Sequence, residues 1–224
     1  MSAPVVILAL WLLFAATHMG LSSLRLRPRL VEAFGERSYL GVYSLVALGV
    51  FTALFWFYLA HRHQGALLWT PANGHAGLAA IYLLQAVAWT MVAAGLAQPS
   101  PAAMGVPEER RPKEPRGAQR ITRHPVFMGL GLFGALHLVA NGFASDAVFW
   151  AGFPLFALIG SAHQDRRKRV TQGEPYRAWC EATPFLPFTG GETARGVREM
   201  GLLPIAIGVA LAVGFRLLHG PLFH

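Results

Sequence analysis

The sequence predicts an all-α integral membrane protein with about six transmembrane helices. Three observations predict it. The 224 residues are 54% hydrophobic and only 13% charged, against about a quarter charged in soluble domains. Mean hydropathy is +0.42. The apolar residues gather in six runs, most near the ~20 residues that a helix needs to cross hydrocarbon. The length suits a single domain over residues 1–224.

The first run is about Pro4 to Leu24. No basic residue precedes it, as a secretory leader would require, so a retained helix is expected. A loop with Arg25, Arg27, Arg29 and Arg37 follows, then a second run over about Tyr39 to Ala60. A link with His61, Arg62 and His63 and a turn at Pro71-Ala72-Asn73-Gly74 lead to the third run, about His75 to Ala97. Residues 98–123 are rich in proline and charge, a composition with little to bury, so much of this stretch is expected to be irregular or mobile. The fourth run, about Pro125 to Ala140, turns at Asn141-Gly142 into the fifth, about Ala147 to Ala162. Pro154 is expected to kink the fifth. A polar segment from Gln164 to Glu199 precedes the last run, about Leu202 to Leu218.

Charge sets the orientation. Seventeen of the nineteen Lys and Arg lie in alternate connections, leaving only Arg62 and Arg216. The positive-inside rule then puts the basic loops in the cytoplasm and both termini outside. The net charge of +8 is thereby assigned to a membrane surface. Nucleic acid is not an expected partner, because the cations alternate with apolar runs. The single cysteine, Cys180, excludes an internal disulfide and a cysteine-built metal cluster. It reads as a reduced loop residue. No HExxH, phosphate-binding loop or GxSxG elbow occurs.

Histidines are the chemistry-bearing residues, nine in all. His61, His63, His75, His219 and His224 fall at the outer interface, where solvation explains them. A histidine within hydrocarbon must be satisfied, and intramembrane ionisable groups are functional candidates by default. His18 and His137 are the deep ones. His18 follows Phe14 and Trp11 on one helical face. A neutral imidazole flanked by aromatic rings suits the axial position of a haem, and the same stripe also serves ordinary packing. His137 shares a face with Gly134, which would admit a flat cofactor, and with Asn141. Asn141 can fix the second ring nitrogen, as groups behind a metal ligand do, or contact a neighbouring helix. His124 lies 13 residues before His137, ~220° around the helix, so the two do not share a ligand. At 1.5 Å per residue, His18 lies ~10 Å and His137 ~20 Å inside the cytoplasmic edge. Two ligands of one iron must lie within ~4–5 Å of each other. The His163-Gln164-Asp165-Arg166 cluster reads as a proton relay, an anion site or an interface anchor.

Several motifs resemble one family. They are Leu13-Phe14 leading to His18 and Gly20, then Phe34-Gly35-Glu36-Arg37, then Arg120-Ile121-Thr122-Arg123-His124-Pro125 with His137 and Ala140-Asn141-Gly142. Asp165-Arg166-Arg167 and Gly173-Glu174-Pro175-Tyr176 complete the set. Together the chain resembles the NnrU family of bacterial membrane proteins and, more distantly, the 15-cis-zeta-carotene isomerases. The resemblance implies a haem b protein of the bacterial inner membrane, its iron held by His18 and His137. Asn141 would stand behind the iron ligand, and Arg123 and His124 would bind a propionate or stabilise the cytoplasmic loop. The NnrU branch implies a link to denitrification, with nitric oxide as ligand. The isomerase branch implies redox-gated cis–trans isomerisation of a lipophilic polyene, in which reduced haem releases an axial ligand. Those isomerases carry a cysteine three residues before the second histidine, where this chain has Gly134, which argues against a thiolate exchange. A second resemblance, of His124, Asp165, Tyr176 and Pro187, is to membrane methyltransferases of the isoprenylcysteine carboxyl type, which use S-adenosylmethionine. A non-catalytic assembly factor is the remaining alternative.

Overall fold

The computed structural model describes residues 1–71, 74–103, 109 and 111–223, with side chains described through His219. Ala72 and Asn73 of the expected turn, Arg110 and His224 lie outside the described residues. Ten helices follow in order among the described residues: α1 Ala3–Leu21, α2 Leu26–Phe34, α3 Glu36–Ala60, α4 His75–Ala97, α5 Ala118–Ile121, α6 Pro125–Ala140, α7 Ala144–Gln172, α8 Glu174–Ala182, α9 Thr193–Met200 and α10 Leu202–Phe223. Five of them, α1, α3, α4, α7 and α10, are long and apolar enough to cross a membrane. The protein is an all-α, multi-pass membrane protein. The remaining apolar helix, α6, has 16 residues, ~24 Å.

The chain forms two compact units. The first comprises Met1–Pro71 and His137–Gly152. In it α1 packs along α3, and α2, within the α1–α3 connection, contacts both. Pro4 sits in the first turn of α1, where its missing N–H is harmless. Ser22 ends the helix by donating its hydroxyl to the His18 carbonyl at 2.8 Å. Gly35 turns the chain into α3 at φ +78°, a conformation that glycine adopts without a Cβ penalty. The link after α3 pairs with the start of α7: Leu67 bridges Phe143, Ala144 N donates to Ala66 O at 2.9 Å and Ser145 N to Gln64 O at 3.0 Å. This ladder brings the link's His63 onto Asp146.

The second unit comprises Ala72–Leu136 and Phe153–His224. Its spine is the α4–α10 pair. Small residues set its close crossings. A Cβ at Gly208 would overlap the backbone of Thr90, and one at Gly129 would meet the Ala88 carbonyl at 2.7 Å. Without a solvent-driven hydrophobic effect between helices in lipid, such close approach supplies the packing.

Three elements differ from the sequence expectation. The segment expected to be irregular closes with α5, whose Ala118, Gln119 and Ile121 are buried. The first basic loop contains α2, because Leu26, Leu30 and Phe34 recur every four residues and give it one apolar face. The fifth run continues through Arg166–Arg169 to Gln172 as one helix, α7. Arginine, lysine and glutamine are good helix formers, so the end of the apolar run does not end the helix. Pro154 lies inside α7.

Candidate functional site

Both deep histidines belong to the first unit. The His18 ring lies against Tyr43 at 4.8 Å and Phe14 at 5.4 Å. The His137 ring stacks on Trp150 at 4.2 Å with 23° between planes. A run of rings joins them. Phe14 meets Trp11 at 5.8 Å, Trp11 meets Phe149 at 6.3 Å, and Phe149 meets Trp150 at 4.9 Å. Both histidine side chains are half-buried. Asn141 donates its amide to the backbone carbonyl of His137 at 2.8 Å and so closes the end of α6.

A polar network lies at one end of this run. Asp146 is fully buried. It accepts the Tyr58 hydroxyl at 3.1 Å, the His63 backbone N–H at 3.1 Å and the His63 Nδ1–H at 2.8 Å. Trp150 Nε1–H donates to the Tyr58 oxygen at 3.0 Å. The Tyr58 ring lies flat on Phe149, with centroids 3.8 Å apart. Sequence reasoning missed Asp146 and Tyr58, and left His63 as an interfacial residue. An aspartate within the first turn of an apolar helix was the available signal.

The second unit holds a separate buried cluster around Asp165, which is 2% exposed. One carboxylate oxygen accepts His124 Nε2–H at 2.8 Å and the Tyr176 hydroxyl at 2.8 Å. The other accepts Arg123 Nε at 2.8 Å. Arg123 Nη1 also donates to the Thr183 carbonyl at 2.7 Å. Arg123 and His124 thus tie α6, α7 and the chain after α8 together. Of the four residues that carry the methyltransferase resemblance, His124 and Tyr176 both meet Asp165 here. Burial, and then the Asp165 carboxylate, pushes the Tyr176 phenol above its usual range. Cys180 lies on α8, not in a loop, and burial raises its thiol in the same sense.

Which groups suit a haem follows from donor chemistry. His18 and His137 offer two imidazoles in an aromatic-lined unit, a donor set that fits haem b. Their placement is offset. Trp11 is held at the level of Phe149 by its indole N–H on the Phe149 carbonyl, 3.0 Å, and His18 lies two helical turns further along α1, ~10 Å. Side chains lean toward the N-terminus of their helix, which returns His18 part of that distance. Among the described residues no group of three or more His, Cys, Asp or Glu is arranged to hold a metal ion.

Comparison with known proteins places the chain. The family model described as NnrU protein matches residues 6–224. The 15-cis-zeta-carotene isomerase of Arabidopsis thaliana, a chloroplastic protein, is 26% identical over 231 aligned residues, covering 97% of this chain and 60% of its own length. The Zea mays protein of the same name is 26% identical over 193 residues, covering 84% of this chain and 50% of its own. The chain thus spans little more than half the length of these relatives. No solved structure matches. With nearly all of its length matched, the chain belongs to the NnrU family.

Proposed function

We propose that the protein is a membrane-embedded cis–trans isomerase of a lipophilic polyene, with haem b held by His18 and His137. One observation carries the reading. The similarity to the isomerases extends over 97% of the chain, and both histidines lie in the ring-lined unit. A haem iron bound there would supply the electron-deficient centre that weakens one double bond of the polyene enough to rotate. The chain's own residues do the rest. Trp11, Phe14, Phe149 and Trp150 make the surroundings of both histidines apolar and aromatic, as a conjugated chain requires. The apolar span walls keep water from a reactive polyene. Tyr58 and Asp146 are satisfied by their own hydrogen bonds, so they add no unpaired polar group to that environment. Isomerisation leaves the atom and electron count of the substrate unchanged, so it needs no acid or base from the protein.

The test is a conversion assay. Purified protein, loaded with haem b and reduced, is mixed in liposomes with a cis polyene of the zeta-carotene type, and the isomers are separated by chromatography. Conversion at one double bond is expected with wild type and is lost in His137→Ala. A wild-type protein that holds haem and converts nothing overturns the isomerase reading. Nitric oxide, the ligand implied by the family's link to denitrification, is then the next probe of the same iron.

A further inference from the structure

We propose that Asp146, Tyr58 and Trp150 form a positioning relay that fixes the plane of the His137 imidazole and ties it to the exposed His63. The inference rests on the reading of His137 as a ligand-holding residue, and it assigns positioning roles to residues outside that pair.

The relay follows from donor and acceptor counting. An ionised carboxylate only accepts, and an indole N–H only donates. The single Tyr58 proton therefore goes to Asp146, at 3.1 Å, and a lone pair of Tyr58 receives Trp150, at 3.0 Å. This order cannot reverse without leaving a buried donor unmet. The indole is held along one edge by that bond and flanked by the Phe149 ring, nearly perpendicular at 79°. Its face carries the His137 imidazole, 4.2 Å away and 23° from parallel. Rotation of the indole would take the imidazole's stacking partner away.

The other end of the relay reaches the surface. His63 has a side chain 52% exposed, yet it contacts an Asp146 side chain with no exposure. Its backbone is in the left-handed region, φ +57°, which a non-glycine residue adopts only where its surroundings hold it. Both His63 bonds to Asp146 do so, one from the backbone N–H and one from the ring. The exposed loop is thus coupled through one carboxylate to the wall behind His137.

The experiment reads the two ends of the relay by NMR on the full chain in nanodiscs. Indole-labelled tryptophan and ring-labelled histidine are used, with Trp150→Phe and His137→Ala assigning the signals. Tyr58→Phe is expected to move the Trp150 indole proton upfield and to shift the His137 ring signal. Trp150→Phe keeps a ring but no N–H, and is expected to shift His137 in the same sense. The double variant is expected to shift His137 no further than either single one, because the two residues act in series. A His137 signal unmoved in Tyr58→Phe, or shifts that add in the double variant, overturns the relay. Where Tyr58→Phe does not fold, His63→Ala carries the test from the exposed end, with smaller shifts of both signals expected and none overturning it. The spectra are recorded without haem and again after loading. Coupled shifts in a protein that never binds haem keep the relay and remove the haem reading. Uncoupled signals in a haem-binding protein do the reverse.

Discussion

Trp11 donates its indole N–H to the backbone carbonyl of Phe149 at 3.0 Å. This buried bond joins α1 to the first turns of α7. Trp11→Phe keeps the ring and removes the donor. It is expected to lower stability by about 0.5–1.5 kcal/mol, the usual contribution of one hydrogen bond. Gly152 packs flat against the same indole, and a Cβ there would overlap it. Gly152→Ala is therefore expected to be at least as damaging. Thermal melts followed by circular dichroism in detergent measure both, and wild-type melting in both variants would contradict this role.

Asp165 gathers a guanidinium, an imidazole and a phenol in a site that is nearly dry. Removing the acceptor strands a buried Arg123 charge. Asp165→Ala is expected to destabilise by about 3–5 kcal/mol, while Tyr176→Phe removes one bond to a charged group and costs about 1.5–3 kcal/mol. The order of the two melts is the check.

The Tyr176 phenol also gives a pH signature. Its folded pKa is raised by burial and then by Asp165, so the neutral form is the one the fold stabilises. That contribution is fully present below the unfolded value near 10 and is lost as pH rises beyond it. Stability of the wild type is expected to decline above about pH 10 more steeply than that of Tyr176→Phe. Parallel curves would show that Tyr176 does not carry the effect.

At the acidic end, Glu199 receives Arg120 Nε at 2.7 Å and the Gly117 N–H at 3.1 Å. These bonds, Arg120 first, lower its pKa to about 2. The contribution is present above the ordinary glutamate value and is lost as pH falls toward the folded one. Hydrogen exchange at Gly117 and along α9 is expected to quicken in Glu199→Gln at neutral pH, and in wild type only between about pH 4 and 2. Unchanged exchange in the variant would contradict the docking of α9 through Glu199.

Glycines separate close crossings from lipid-facing positions. Gly129→Ala would set a methyl 2.7 Å from the Ala88 carbonyl and 2.8 Å from the Val92 side chain. Gly41 has nothing within 4 Å of the same methyl. Gly129→Ala is expected to cost about 1–3 kcal/mol through overpacking, and Gly41→Ala to gain up to about 1 kcal/mol. Equal melting temperatures would refute the crossing.

Much of this architecture was readable in the residues. Long apolar runs bounded by cations specify spanning helices directly, and α4 and α6 begin and end where hydropathy changes. The α7 extension was not readable from hydropathy, since Arg166–Arg169 favour a helix as readily as they mark a boundary. For the site, depth alone singled out His18 and His137. Their neighbours depended on contacts distant in sequence: Tyr58 meets Asp146 across 88 residues and Trp150 across 92. Single residues in apolar or loop segments carry no local sign of such pairings. The RITRHP stretch was legible as a motif, but its partner Asp165 became visible only when α6 and α7 were placed side by side.

The most direct test is an absorption spectrum of the detergent-purified protein, oxidised and reduced, beside His18→Ala and His137→Ala. A Soret band with sharp low-spin bands on reduction is expected, lost or turned high-spin in either variant. A protein that stays colourless after haem b is added back, or one whose spectrum neither substitution changes, would contradict haem binding by His18 and His137.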